Sequence, residues 1–133
     1  MAETERAPAI GNYRELRVWR HGMALVEQVY RLTGEFPAQE NYGLTSQMRR
    51  AAVSIPSNIA EGFVRESTRE YLQHLSVAQA SLAELETQIE IAARLEYLPR
   101  AVSMDVLEGT VSLSRQLFAL RNALQRRINQ AEK

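Results

Sequence analysis

Residues 67–92 read STREYLQHLSVAQASLAELETQIEIA. Tyr71, Leu75, Ala78, Leu82, Leu85, Ile89 and Ala92 recur at alternating steps of four and three, so the seven side chains share one face of a helix. Neither Pro nor Gly interrupts the run. Ser67 followed three residues later by Glu70 has the form of a capping box, in which the Ser hydroxyl and the Glu carboxylate satisfy amide groups left free at a helix start. A long, one-sided helix of this kind must bury its apolar face against other elements, and the rest of the chain supplies them.

Three further stripes have the same period. Leu16, Trp19, Met23, Val26 and Tyr30 predict a first helix that ends near Gly34. Pro37 and Gly43 mark residues 35–43 as a loop. Leu44, Met48, Ala52, Ile55, Ile59 and Phe63 predict a second helix with Pro56 inside it; Pro56 has no N–H for the Ala52 carbonyl, so a kink or break is expected there. Pro99 and Ser103 separate the third helix from a fourth, carried by Val106, Leu113, Leu117, Leu120, Leu124 and Ile128. Four amphipathic helices with short connections pack most simply as an all-α, antiparallel up-and-down four-helix bundle. Residues 13–130 form that bundle, with an extended or disordered tail over 1–12 and a C-terminal tail over 131–133.

A chain of 133 residues with 45% hydrophobic content suffices for one core and not two. Absent cysteine removes disulfides, thiolate nucleophiles and Cys-ligated metals, and suits a reducing cytoplasm. The N-terminus lacks a secretory pattern and no apolar run approaches a membrane span. A di-iron bundle needs Glu-x-x-His twice, whereas the residues three before His21 and His74 are Val18 and Tyr71. His74 follows Glu70 at i+4, the spacing of a solvated surface pair. No Gly-rich phosphate loop and no nucleophile elbow is present. The chain is expected to be no enzyme, to bind no cofactor or metal, and to act through association.

Two patterns point to associations. Arg50, Ser54, Asn58, Glu61 and Arg65 form a polar stripe along the second helix. It reads either as an ordinary solvated face with i+4 charge pairs, or as a structural or intersubunit stripe. In the second reading Ser54 and Asn58 bond backbone freed by Pro56, while Glu61 meets an arginine. Charge is also sorted: residues 70–98, with Glu84 and Glu86, balance at minus four, whereas 41–69 balance at plus two and 99–133 at plus three. Such opposition suits head-to-tail association between copies and equally suits pairing between neighbouring helices. Fifteen of the sixteen basic residues are arginine, the side chain suited to forked phosphate contacts and stacking on bases. Arg14, Arg17 and Arg20 recur around Trp19, and Arg49 and Arg50 open the second helix. These five are the candidate nucleic-acid contacts, set against a net charge of zero.

The run LTSQMRRAAVSIPSNIAEG at 44–62 resembles the central signature of the four-helix bundle proteins encoded in 23S rRNA intervening sequences. Leu16-Arg-Val-Trp19, Phe36-Pro37, Tyr42-Gly43-Leu44 and Ser81-Leu-Ala-Glu-Leu-Glu86 resemble further segments of that family, so the likeness spans roughly residues 13–98. Arg20 and His21 stand where the family commonly has Gln and Lys, Ala80 where it often has Gly, and the last helix agrees only in pattern. The family is similar in turn to the accessory variability determinant of diversity-generating retroelements, a pentameric bundle that binds nucleic acid and a reverse transcriptase. The resemblance therefore implies a cyclic homopentamer with RNA or DNA as ligand, and a polymerase or ribosomal protein as a further partner. The alternative expectation is a protein-interaction scaffold that binds no nucleic acid.

Overall fold

The structure, a computed structural model, describes residues 11–132. Most of the expected N-terminal tail, residues 1–10, and Lys133 lie outside the described residues. Four helices follow one another: α1 Arg17–Thr33, α2 Leu44–Phe63, α3 Thr68–Arg94 and α4 Arg100–Ala131. Short 3-10 turns at Tyr13–Glu15 and Ala38–Glu40 precede α1 and α2. Asn12, placed by the sequence in the tail, caps the first turn through a 2.8 Å bond from the Arg14 amide to its side chain.

Contacts between successive helices pair rising with falling residue numbers. Arg49 bonds Thr33 while Pro56 lies against Gly22. Ser54 meets Ser81 and Asn58 meets His74; Arg100 bonds Glu90 and Ser114 bonds Gln79. Consecutive helices therefore run in opposite directions. The α1–α4 seam closes the bundle through Gln116 and His21, 3.2 Å apart. Val29, Met48, Ile55, Ile59, Leu75, Leu82, Leu85, Ile89, Leu113 and Leu117 are fully buried between the four helices. Each such side chain contributes about 1.5–3 kcal/mol relative to exposure.

Three local expectations require correction. In α1 the buried face is Val18, Gly22, Leu25, Val29 and Thr33; of the stripe read from the sequence only Leu16 is buried, while Met23 and Tyr30 are exposed. Second, α2 runs without a break from Leu44 to Phe63 through Pro56. Proline already has a helical φ, and buried Pro56 is held against Gly22. Third, Ser103 is not a separator: α4 begins at Arg100, after Pro99, and the Ser103 hydroxyl donates to the Arg100 carbonyl within its first turn. The stripes of α2, α3 and α4 otherwise form the core as their spacing predicts, and Ser67 caps α3 by accepting from the Glu70 amide.

Candidate nucleic-acid interface

The polar stripe on α2 does face α3, but with different partners from those expected. The Ser54 and Ser81 hydroxyls lie 2.8 Å apart, and Ser81 is buried. Asn58 Nδ2 donates to the Ser54 carbonyl and hydroxyl, at 2.9 and 3.1 Å. The Ser54 carbonyl is not the one freed by Pro56, which belongs to Ala52. Asn58 Oδ1 lies 3.0 Å from His74 Nδ1, and Glu61 lies 3.6 Å from the same nitrogen. Glu61 thus meets a histidine and not an arginine, and His74 belongs to this seam and not to a solvated pair with Glu70. Arg65 is exposed beyond the end of α2. The seam is a chain of hydrogen bonds fastening α2 to α3, each worth about 1 kcal/mol.

Next to it lies a cleft of about 440 Å³ lined by Gln47, Arg50, Ser54, Ser81 and Glu84. Glu84 accepts from Gln88 at 3.4 Å. Glu86 turns to the opposite flank of α3, where it lines a groove with Ile91, Leu107 and Val111. The two carboxylates therefore serve different surfaces.

The five candidate arginines do not form one patch. Arg14, Arg17 and Arg20 are exposed at the N-terminal end of α1. There the Arg14 guanidinium lies 5.5 Å from the centre of the Trp19 ring and 5.8 Å from that of Tyr13, and Arg20 donates to the Arg14 carbonyl at 2.8 Å. Arg49 is at the other end of α1, 4.5 Å over the Tyr30 ring and bonded to the Thr33 hydroxyl at 2.8 Å. Eleven helical residues separate Trp19 from Tyr30, about 16 Å along the axis. Arg50 opens onto the α2/α3 cleft.

What the fold does assemble is a basic pole. The start of α1, the end of α2, the start of α3 and the end of α4 meet at one end of the bundle. Arg17 and Leu16 adjoin Ala119 and Leu120; Arg69 pairs with Glu132. Burial pushes the Tyr71 phenol up to about 12, with nearby Arg127 pulling it the other way. This end carries Arg14, Arg17, Arg20, Arg65, Arg69, Arg121, Arg126 and Arg127 against five carboxylates, Glu15, Glu61, Glu66, Glu70 and Glu132. The opposite end has nine carboxylates, among them Glu84, Glu86, Glu90 and Asp105, against five arginines, with Arg115 midway along α4. Neutrality overall is thus the sum of two opposed poles. Sequence spacing does not link Arg65, Arg69, Arg121, Arg126 and Arg127 to Arg14, Arg17 and Arg20, because only the topology brings those three segments together.

Among the described residues no three His, Asp or Glu side chains cluster as metal ligands, and no helix is long and apolar enough to cross a membrane. The molecule is a small helical bundle with a basic pole and an internal polar seam. Its residues 14–119 match the model of the 23S rRNA-intervening sequence protein family, and the chain belongs to that family. Among solved structures it is similar to a protein of unknown function from the S23 ribosomal protein family of Bacteroides thetaiotaomicron. That likeness has a TM-score of 0.74 and 20% identity over 79% of this chain and 95% of that one, and it concerns the fold. No curated protein matches.

Proposed function

We propose that this chain is a non-catalytic, self-assembling, cytoplasmic accessory protein that binds nucleic acid, structured RNA of the ribosomal kind foremost, through its basic pole. The observation that carries the reading is the convergence of eight arginines from three segments on one end, beside the half-buried Tyr13 and Trp19 rings, 5.4 Å apart. Guanidinium groups give phosphates forked, charge-assisted contacts, and an aromatic pair gives an unstacked base a platform. A cyclic assembly of five copies, as the family resemblance implies, sets five such poles on one face. A modest patch on each then acts at high effective concentration on a ligand long enough to span several.

The test is titration of the protein into labelled structured RNA and duplex DNA over a range of salt. The logarithm of the affinity should fall linearly with log salt, with a slope of about −0.9 for each phosphate contacted on B-DNA. Arg17→Glu with Arg126→Glu should weaken binding and flatten that slope by roughly two contacts' worth. Arg49→Glu with Arg50→Glu, at the other pole, should do much less. Absence of binding at low salt from the assembled protein would leave the scaffold reading, in which the same surfaces hold a polymerase or ribosomal protein.

A further inference from the structure

On the α1/α2 flank of the basic pole lies a groove of about 310 Å³, walled by Tyr13, Trp19, Met23, Val53, Pro56 and Ala60. Its shape follows from small residues. Pro56 lies against Gly22, 3.5 Å from where a Cβ there would sit, and this sets the level of the two helices. Because they run in opposite directions, the next turn of α2 brings Ala60 level with Trp19, and a single methyl leaves the space open. At the mouth, Asn12 caps the 3-10 turn that carries Tyr13, and the Tyr13 ring lies 5.4 Å from that of Trp19, tilted by 59°. Cations rim this end: Arg14 is 5.5 Å from the Trp19 ring centre, and Arg20 donates to the Arg14 carbonyl. The carboxylate of the same turn, Glu15, is bent back onto the Gly11 amide at 3.1 Å. Glu27, two turns along α1 from Arg20, faces Arg31 at 4.0 Å.

We propose that this groove takes one unpaired nucleobase, with Arg14 and Arg20 on the phosphates that flank it. The inference rests on the nucleic-acid reading above and narrows its ligand to RNA with unpaired nucleotides, in a loop, a bulge or an end. Charge and shape together select that occupant. An apolar slot rimmed by guanidinium groups suits a flat ring carried on an anionic chain, whereas an apolar peptide would fill the slot and leave the cations unanswered. A base inside a helix is covered on both faces by its neighbours and cannot reach a wall of Trp19 and Pro56; a splayed base can. Volume sets how many bases enter, since about 310 Å³ is at the lower limit of small-molecule sites and has room for one. Every base has a face that stacks on an aromatic side chain, so the groove reads the absence of pairing and not the sequence.

The chain has one tryptophan, so its fluorescence reports on this groove alone. A short oligoadenylate should quench Trp19 saturably, with the same midpoint as binding followed by anisotropy of the labelled oligonucleotide. A blunt-ended RNA duplex of equal nucleotide count should bind and quench far less. Ala60→Leu fills the slot and should weaken oligoadenylate binding by about 5- to 140-fold, the worth of one stacked base, with duplex affinity retained. Ser57→Leu, at an exposed position in the same wall, gives the same reading should Ala60→Leu fail to fold. Oligoadenylate bound without quenching, or both RNAs weakened alike by the variants, would overturn the inference and leave the basic pole standing. A lower sedimenting mass for either variant, folded by circular dichroism, would place a second copy in the groove and equally refute it. Binding of neither RNA would remove the nucleic-acid reading itself, and this inference with it.

Discussion

At Gly62 α2 passes close to α3. A Cβ there would lie 2.8 Å from the His74 Cβ, 2.9 Å from the Tyr71 ring and 3.2 Å from the Tyr71 carbonyl oxygen. The last is backbone and cannot swing aside. Overpacking of this kind costs about 1–3 kcal/mol, against at most about 1 kcal/mol gained from alanine's better helix propensity. Gly62→Ala should therefore lower stability in denaturant titration despite being a helix-favouring change; an unchanged or raised midpoint would contradict the close approach. The sequence displays this glycine at the end of its most recognisable run without indicating what it faces. Ser67 was legible because a cap is a local device. His74 was not: its partners, Asn58 and Glu61, are 16 and 13 positions away and on another helix, while Glu70 stood nearby as a decoy.

Among the elements, α3 was the most readable and α1 the least, for one physical reason. In α3 the regular stripe read from the sequence supplies the core, with Leu75, Ala78, Leu82, Leu85, Ile89 and Ala92 all buried. In α1 the stripe read from the sequence does not. The buried face includes Gly22 and Thr33, which look unremarkable in sequence, while Trp19, Met23 and Tyr30 sit on the uncovered flank. The most conspicuous stripe in α1 flanks the core and does not form it. The connection between α1 and α2 carries a second dependence. Glu40 accepts from the Leu44 amide at the start of α2, at 3.0 Å, and from the Tyr97 hydroxyl after α3, at 2.8 Å. The Leu44 amide bond first, and then the Tyr97 bond, hold its carboxyl below the usual value of 4.5. A carboxyl held down in the folded state stabilises above its unfolded pKa and ceases to do so as pH falls through the folded one. Glu40→Ala should thus lower the unfolding midpoint at neutral pH, and the gap to the unsubstituted protein should close as pH drops below about 4.5. A pH-independent gap would mean that the charge plays no part.

For the whole molecule, fold class could be read from periodicity alone, whereas the candidate site could not. Arg14, Arg17 and Arg20 were identifiable as a local cluster, but the pole to which they belong required knowing that the ends of α2 and α4 arrive beside them. Side-by-side copies would put these poles next to one another, where they repel. On the function proposed above, a polyanion across the poles would relieve that repulsion, and binding and assembly would reinforce each other. Added structured RNA should shift a dilute sample toward the larger species, and sodium chloride alone should do so more weakly by screening; RNA that dissociates the assembly would oppose this coupling.

The separation of the two poles also determines what an approaching ligand experiences. With 32 residues, α4 is about 48 Å long, while at physiological ionic strength a charge is felt over only about 8 Å. Far-end carboxylates such as Glu90, 21 helical residues from Arg69, and Asp105, 21 from Arg126, therefore lie several screening lengths from a phosphate touching the basic end. To such a ligand the protein is simply cationic, and the zero obtained by adding its charges describes a distance at which no encounter takes place.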